Sequence, residues 1–174
     1  SEVAPTPATA QQVRLPLPDK PSIIVLPFIC PGGTVEQEAI ADGITESLVN
    51  DLSRQSGLAV VARTTSLALK GKATDVRELT RQFGVRYVLE GSLQVGARRA
   101  RVNVQLISAN DGIHFWADRF DKELGDVLDL QDEIAERTSR AVSVQLREAE
   151  IRRAMEGAKE TRDPATLVLL GRRI

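Results

Sequence analysis

The chain has 174 residues, enough for one core with appendages, and its 42% hydrophobic and 27% charged residues are ordinary for a globular domain. A net charge of −1 gives no overall pull toward nucleic acid or anionic lipid, and one Trp, one Tyr and four Phe are too few for a platform that stacks bases or sugars. The single cysteine, Cys30, excludes an intramolecular disulfide. No apolar run approaches the ~20 residues of a membrane span, and no basic start with an apolar core marks a signal peptide. Ser1 is not a natural start, so a longer parent is expected.

Five prolines fall in residues 1–21, with Ala and Thr between them, which predicts a semi-extended linker without a core of its own. Structure is expected from Ser22. The run Ile23–Leu26 suits a strand buried on both faces, and Pro27 ends its pairing on one side. Thr34 with Gln37 forms a capping box for a helix whose stripe Ile40, Ile44, Leu48 and Leu52 faces a sheet, and Gly57 is expected to stop it. Leu58–Ala62 reads as a second strand, Arg63–Thr74 as a loop with a short helical turn, and Val76–Phe83 as a second helix. In that helix Leu79 and Phe83 point inward and Gly84 caps the end.

Three strands follow as a meander. Arg86–Val95 reaches a turn near Gly96–Arg98, and Arg101–Ile107 sets Val102, Val104 and Leu106 on one face. Asn110-Asp111-Gly112 is a hairpin signal that leads into Ile113–Phe120. From Leu124 a long helix is predicted to about Glu160, with Leu130, Ile134, Ala141, Val142 and Leu146 packed. After Leu146 it turns polar and is expected to leave the domain. Asp163-Pro164 breaks it, and Ala165–Leu170 begins an apolar helix without partners, as if another helical domain followed. Strands alternating with helices, five strands in all, predict an α/β fold with a mixed sheet, helices packed on it and a long C-terminal helix.

The chemistry-bearing residues assemble into no recognisable catalytic set. Asp42 and Glu46 share a helix face one turn apart, yet nothing nearby supplies the further ligands Mg²⁺ or Ca²⁺ needs; with Asp51 they read as a solvated acidic face. His114 and Trp116 lie two apart on a strand and are expected on one face, Trp116 as a core or rim anchor and His114 as a surface residue. Gly71-Lys72-Ala73 fails as a phosphate loop, because Ser66 and Ala73 stand where a Gly and a Ser or Thr are required. Arg63, Lys70 and Lys72 remain candidates for contacting an anion or a carboxylate-bearing partner. Arg98, Arg99 and Arg101 lack interleaved aromatics and are expected to pair with Asp118, Asp121 and Glu123 rather than touch nucleic acid. On the last helix Ile151, Ala154, Met155 and Ala158 form a narrow stripe for a helix–helix seam, so Ile151 and Met155 join the partner-binding candidates. No catalytic residue, cofactor or metal site is expected.

PSIIVLPF, EQEAIADGITESLVNDLSR, LAVVAR, KGKATDVRELTRQFGVRYVLEGSL, RARVNVQLISANDGIHFWADRFDKEL and LQDEIAERTSRAV together resemble the TolB amino-terminal-like domain over about Pro21–Leu146. ICPGGTVEQ departs from the family's more usual Asn-Leu-Ser-Gly-Asp-like turn. The resemblance implies a fold akin to the anticodon-binding domains of tRNA synthetases, and an interaction or sensory role with no catalytic residues. It also implies a setting beside adenylate cyclase or winged-helix domains and ahead of tetratricopeptide repeats, to which DPATLVLLGRRI is similar.

The organisation expected is thus a linker at 1–21, the α/β domain at 22–146, and at 147–174 an exposed helix that opens a following repeat domain. The function expected is a non-catalytic interaction or sensory module of a larger bacterial signalling protein. A structural spacer between a membrane anchor and the repeats is the alternative, and an enzyme a distant third. Its partners would be proteins, the following repeats or a second copy of the chain, with no nucleic acid and no direct membrane contact. The linker and the resemblance point to the periplasm, with the cytoplasm as the alternative.

Overall fold

The computed structural model describes residues 20–72 and 75–162, with side chains as far as residue 158. The proline-rich tract up to residue 19 and the apolar stretch from residue 163 lie outside the described residues. The elements in chain order are β1 (Ser22–Val25), α1 (Val35–Ser53), β2 (Ala59–Val60), α2 (Arg63–Leu67), α3 (Val76–Phe83), β3 (Tyr87–Val95), β4 (Arg99–Ser108), β5 (His114–Glu123) and α4 (Val127–Arg162). They build a five-stranded mixed sheet in the order β2-β1-β3-β4-β5. β1 runs parallel to both β2 and β3, while β3, β4 and β5 form an antiparallel meander. The α/β architecture, the five strands and the long C-terminal helix are as the sequence predicts.

Local chemistry explains most boundaries. Thr34 accepts a hydrogen bond from the Gln37 amide at 3.2 Å while Gln37 reaches back to the Thr34 amide at 3.0 Å, closing the capping box of α1. α1 ends at Ser53 with Arg54 as its cap, before Gly57, because the chain turns through Gln55–Leu58 to enter β2. Asp75 caps α3, and Gly84 closes it in the left-handed conformation that a side chain would strain (φ 67°). α4 starts at Val127 rather than Leu124, because the Asp126 carboxylate caps the amides of Leu128 and Asp129 at 2.9 and 3.1 Å.

One face of the sheet carries the large core. Ile23, Val25, Leu89, Leu93, Val102, Val104 and Leu106 pack there against Ile44, Leu48 and Leu52 of α1 and Leu130, Ile134, Val142 and Leu146 of α4. The two helices approach closely at Gly43, where an added Cβ would stand 2.0 Å from Gln131 Nε2. The opposite face holds a smaller cluster, Ile24, Val88 and Ile107 under Leu79 of α3. Both faces of β1 are therefore buried, as its unbroken apolar run requires.

β5 departs from simple alternation. A register shift between Leu106 and Ile107 leaves Phe115 as an extra residue, so His114 opposes Ile107 and Trp116 opposes Leu106. Phe115 and Trp116 consequently both pack against the large core, Phe115 edge-on to Tyr87 at 5.6 Å, and His114 is exposed. Trp116 is thus an anchor as expected, but its expected face-sharing with His114 does not survive the bulge.

Candidate functional site

Two regions present polar or apolar groups that the fold itself does not consume. The first is a cleft of about 500 Å³ on the sheet face opposite α1 and α4, beyond the end of α3. Its floor is two cross-strand pairs, Glu90 opposite Gln105 and Ser92 opposite Asn103. Period-two geometry sets these four side chains on the face that carries Val88, past the reach of the α3 cover. Leu26, Ile29 and Leu69 supply apolar wall, and Lys70, Gly71 and Lys72 the rim.

The wall on the β1 side is fixed by a detour of the chain. Leu26 donates its amide to the Leu89 carbonyl at 2.9 Å, and Ile29 rejoins β3 by a bridge to Ser92. Between them the Phe28 amide bonds the Thr45 hydroxyl at 2.9 Å, and that hydroxyl donates to the Ala41 carbonyl at 3.0 Å. The buried Thr45 therefore pins the end of β1 to α1. The Phe28 ring lies over Gly91, where a Cβ would meet ring carbons at 2.4 Å. Ile29 is left 56% exposed at the mouth of the cleft.

The basic candidates face the acidic helix stripe. Lys70 Nζ is held by both Asp42 oxygens at 2.7 and 2.8 Å, and Arg63 pairs with Glu46. Side chains singled out separately in the sequence, two acids on α1 and two bases beyond β2, are thus partners in the structure. Lys72 sits at the cleft rim. Cys30 is buried, and burial first, then the Glu38 charge, pushes its thiol above the ordinary value. Of the basic hairpin, Arg101 pairs with Asp121 at 2.9 Å as expected; the hydrogen bond lowers the Asp121 carboxyl and raises the Arg101 guanidinium. Among the described residues no group of three or more His, Cys, Asp or Glu is placed to hold a metal ion.

The second region is α4. Its inner half is fastened to β5 by Arg137 over the Phe120 ring at 4.4 Å and by Lys122 to Glu133 at 3.0 Å. Farther along, Ala149 still packs on the large core, and Glu150 accepts a 2.6 Å hydrogen bond from the Tyr87 hydroxyl while pairing with Arg86. Burial, then the bond to Glu150 and its charge, pushes the Tyr87 hydroxyl well up, so it stays a donor. The helix thus keeps contact with the sheet as far as Glu150. Beyond it residues 151–158 are all exposed, with Ile151 at 54% and Met155 at 63%. Ile151 also lines a groove of about 790 Å³ with Pro21, Leu58 and Leu146.

Glu90, Gln105 and Glu150 are site residues that sequence reasoning missed. The signal for the first two was present in the meander, since polar residues at alternate positions facing each other across a hairpin mark an uncovered sheet face. Glu150 lay hidden in a charged run of the helix.

These features define a small mixed α/β domain with one covered and one half-open sheet face. The chain belongs to the family described as the second domain of HilA/YgeH-like transcriptional regulators, whose model matches residues 19–137. It is 47% identical over 156 residues to a protein of Rhizobium meliloti named "Putative adenylate cyclase 3", a match that takes in 90% of this chain and 26% of that protein. The chain therefore spans about a quarter of the length of this curated relative. Among solved structures it is similar in fold to lipoprotein GNA1162 of Neisseria meningitidis (TM-score 0.52, 19% identity, 70% of this chain and 96% of that one). It is also similar to PelC of Paraburkholderia phytofirmans, whose structure is a dodecamer (TM-score 0.50, 16% identity, 71% and 88%). No helix among the described residues is long and apolar enough to cross a membrane.

Proposed function

We propose that this chain is a non-catalytic interaction or sensory module of a larger bacterial signalling protein, related to the TolB amino-terminal-like domains, in which any cyclase chemistry sits in another domain. The observation that carries the reading is the contrast between its relatives. One domain type forms the second domain of proteins described as transcriptional regulators and about a quarter of a protein named as a cyclase. A unit common to two different outputs is best understood as handling input or contacts rather than either output reaction.

α4 supplies the route by which a state of the domain would reach its neighbours. Arg86 and Tyr87 at the start of β3 grip Glu150, and the helix continues from that grip toward the rest of the parent. The domain extent stays part of the proposal: a linker before Ser22, the α/β unit through about Leu146, then a helix leading to tetratricopeptide-like repeats. Candidate contacts are Lys70 and Lys72 at the rim of the cleft, Arg63 beside Glu46 of α1, and Ile151 and Met155 on α4.

The spacer reading has its own support in the helix, since 36 residues make a rod of about 54 Å. A Glu150→Gln substitution in the full-length parent separates the two. The module reading expects the output, measured as cyclic AMP formed, to change by about fivefold or more. Unchanged output with the helix intact by circular dichroism favours the spacer. The isolated chain should form no cyclic AMP from ATP with Mg²⁺ or Mn²⁺, and turnover removed by one point substitution would refute the non-catalytic assignment. The compartment is tested by a phosphatase fusion to the parent: activity supports the periplasm suggested by the proline-rich tract, and silence supports the cytoplasm suggested by the regulator family.

A further inference from the structure

The half-open face holds a carboxylate that nothing in the fold answers. Glu90 and Gln105 stand directly opposite each other and half-buried, and neither side chain has a hydrogen-bond or ion-pair partner among the described residues. Gln105 Oε1 is sealed from solvent with no donor, a state that costs desolvation without return. Beside them Asn103 donates to the Ser92 hydroxyl at 3.4 Å, so the neighbouring pair is at least partly satisfied within itself. The floor thus carries a negative charge and no positive one; of the two lysines at the rim, Lys70 is already clasped by Asp42 and Lys72 has a contact of its own. Above the floor Leu26, Ile29 and Leu69 give the cleft an apolar side.

We propose that this cleft binds a small organic cation, an ammonium carried on a short apolar stem. The ammonium sits between the Glu90 carboxylate and the Gln105 amide, and the stem lies against Leu26, Ile29 and Leu69. The last torsion of a glutamine is broad, so the amide turns its oxygen from the sealed position to the ligand without leaving a preferred rotamer. A charge-assisted hydrogen bond to Glu90 sets the ligand's sign, and a volume of about 500 Å³ matches the size of common small-molecule sites. The inference rests on the sensory reading above, since a spacer has no use for a ligand.

Phenethylamine is the probe, with phenethyl alcohol and hydrocinnamate as its neutral and anionic counterparts, titrated into the 174-residue chain and followed by backbone amide NMR shifts. The amine is expected to bind with a Kd below about 1 mM and to move the amides of Glu90, Ser92 and Gln105, with the alcohol at least about tenfold weaker. Glu90→Gln should weaken the amine by about tenfold or more, while Glu78→Gln on the exposed side of α3 leaves it unchanged, both variants keeping the wild-type thermal midpoint. Absence of amine binding up to about 10 mM, equal binding of the alcohol, or tighter binding of hydrocinnamate overturns the proposal. The outcome is separable from that of the parent reading. If Glu150→Gln changes output and no amine binds, the module stands and this ligand class falls.

Discussion

The two faces of the sheet are made by the same strands and finished in different ways. On one face Leu89, Leu93, Val102, Val104 and Leu106 are buried without remainder beneath two helices, α1 and α4. On the other, Ile24, Val88 and Ile107 are sealed by Leu79 of the two-turn α3, and two positions farther along the strands the surface turns to Glu90, Ser92, Asn103 and Gln105. On the closed face the strand side chains that meet the two helices are apolar, from Leu89 to Leu106. The half-closed face has several polar ones, and they begin where the helical cover ends. The packed core and the uncovered polar groups are thus divided between the sides of one sheet.

Substitutions on the closed face should produce the largest losses. Leu48 is fully buried, so Leu48→Ala is expected to cost about 2–5 kcal/mol by chemical denaturation, whereas Glu46→Ala on the exposed side of the same helix should cost well under ~1 kcal/mol. Equal losses would mean that the face assignment is wrong. Gly91→Ala comes next, because its Cβ must displace the Phe28 ring and the Asn103 carbonyl at 2.4 and 2.7 Å; a loss of about 1–3 kcal/mol in thermal unfolding is expected.

A smaller effect, of opposite sign, belongs to the seam between the helices. Burial, with lesser repulsion from Asp132 and Glu136, raises the Asp51 carboxyl despite the opposing pull of Arg54. A group with a raised folded value binds its proton more tightly in the native state. Its relative contribution is therefore favourable in acid and is lost as pH climbs through the carboxylate range to that raised value. Asp51→Asn should accordingly raise the unfolding midpoint at pH 7 and leave it nearly unchanged at pH 3. A gain only at the acid end contradicts the sign. The smallest effect on stability, close to none, is expected from the double change Ile151→Glu with Met155→Glu, since both side chains are more than half exposed. Its readout is sedimentation. A wild-type dimer that the double variant dissolves identifies the stripe as a seam between copies, and a wild type that is monomeric throughout leaves the stripe to the following repeats.

Much of the fold was legible because its signals are local. The Thr34–Gln37 capping box, the Asp75 cap with Gly84 nine residues on, the Asn-Asp-Gly hairpin and the alternation of β4 all depend on residues within one turn or one pair of strands. The element ends that moved did so for tertiary reasons: α1 stops early because the chain must enter β2, and α4 waits for the Asp126 cap. The Phe115 bulge was hidden, since alternation in one strand does not reveal an irregularity in its pairing with the next. The site was less legible still. Lys70 meets Asp42 across 28 residues, and Tyr87 meets Glu150 across 63; charge patterning along a sequence gives no hint of such distances.

The position of the Glu150 grip along α4 has a mechanical consequence. Everything before it is clamped to the domain, and the twelve residues from Ile151 to Arg162 overhang by about 18 Å. A rigid rod held near a fulcrum magnifies angle into distance: a tilt of about ten degrees at Glu150 carries Arg162 sideways through roughly 3 Å. A displacement at the fulcrum too slight to disturb the packing of Tyr87 would still arrive at Arg162 as a sideways shift of a few ångströms, about 3 Å for the tilt above.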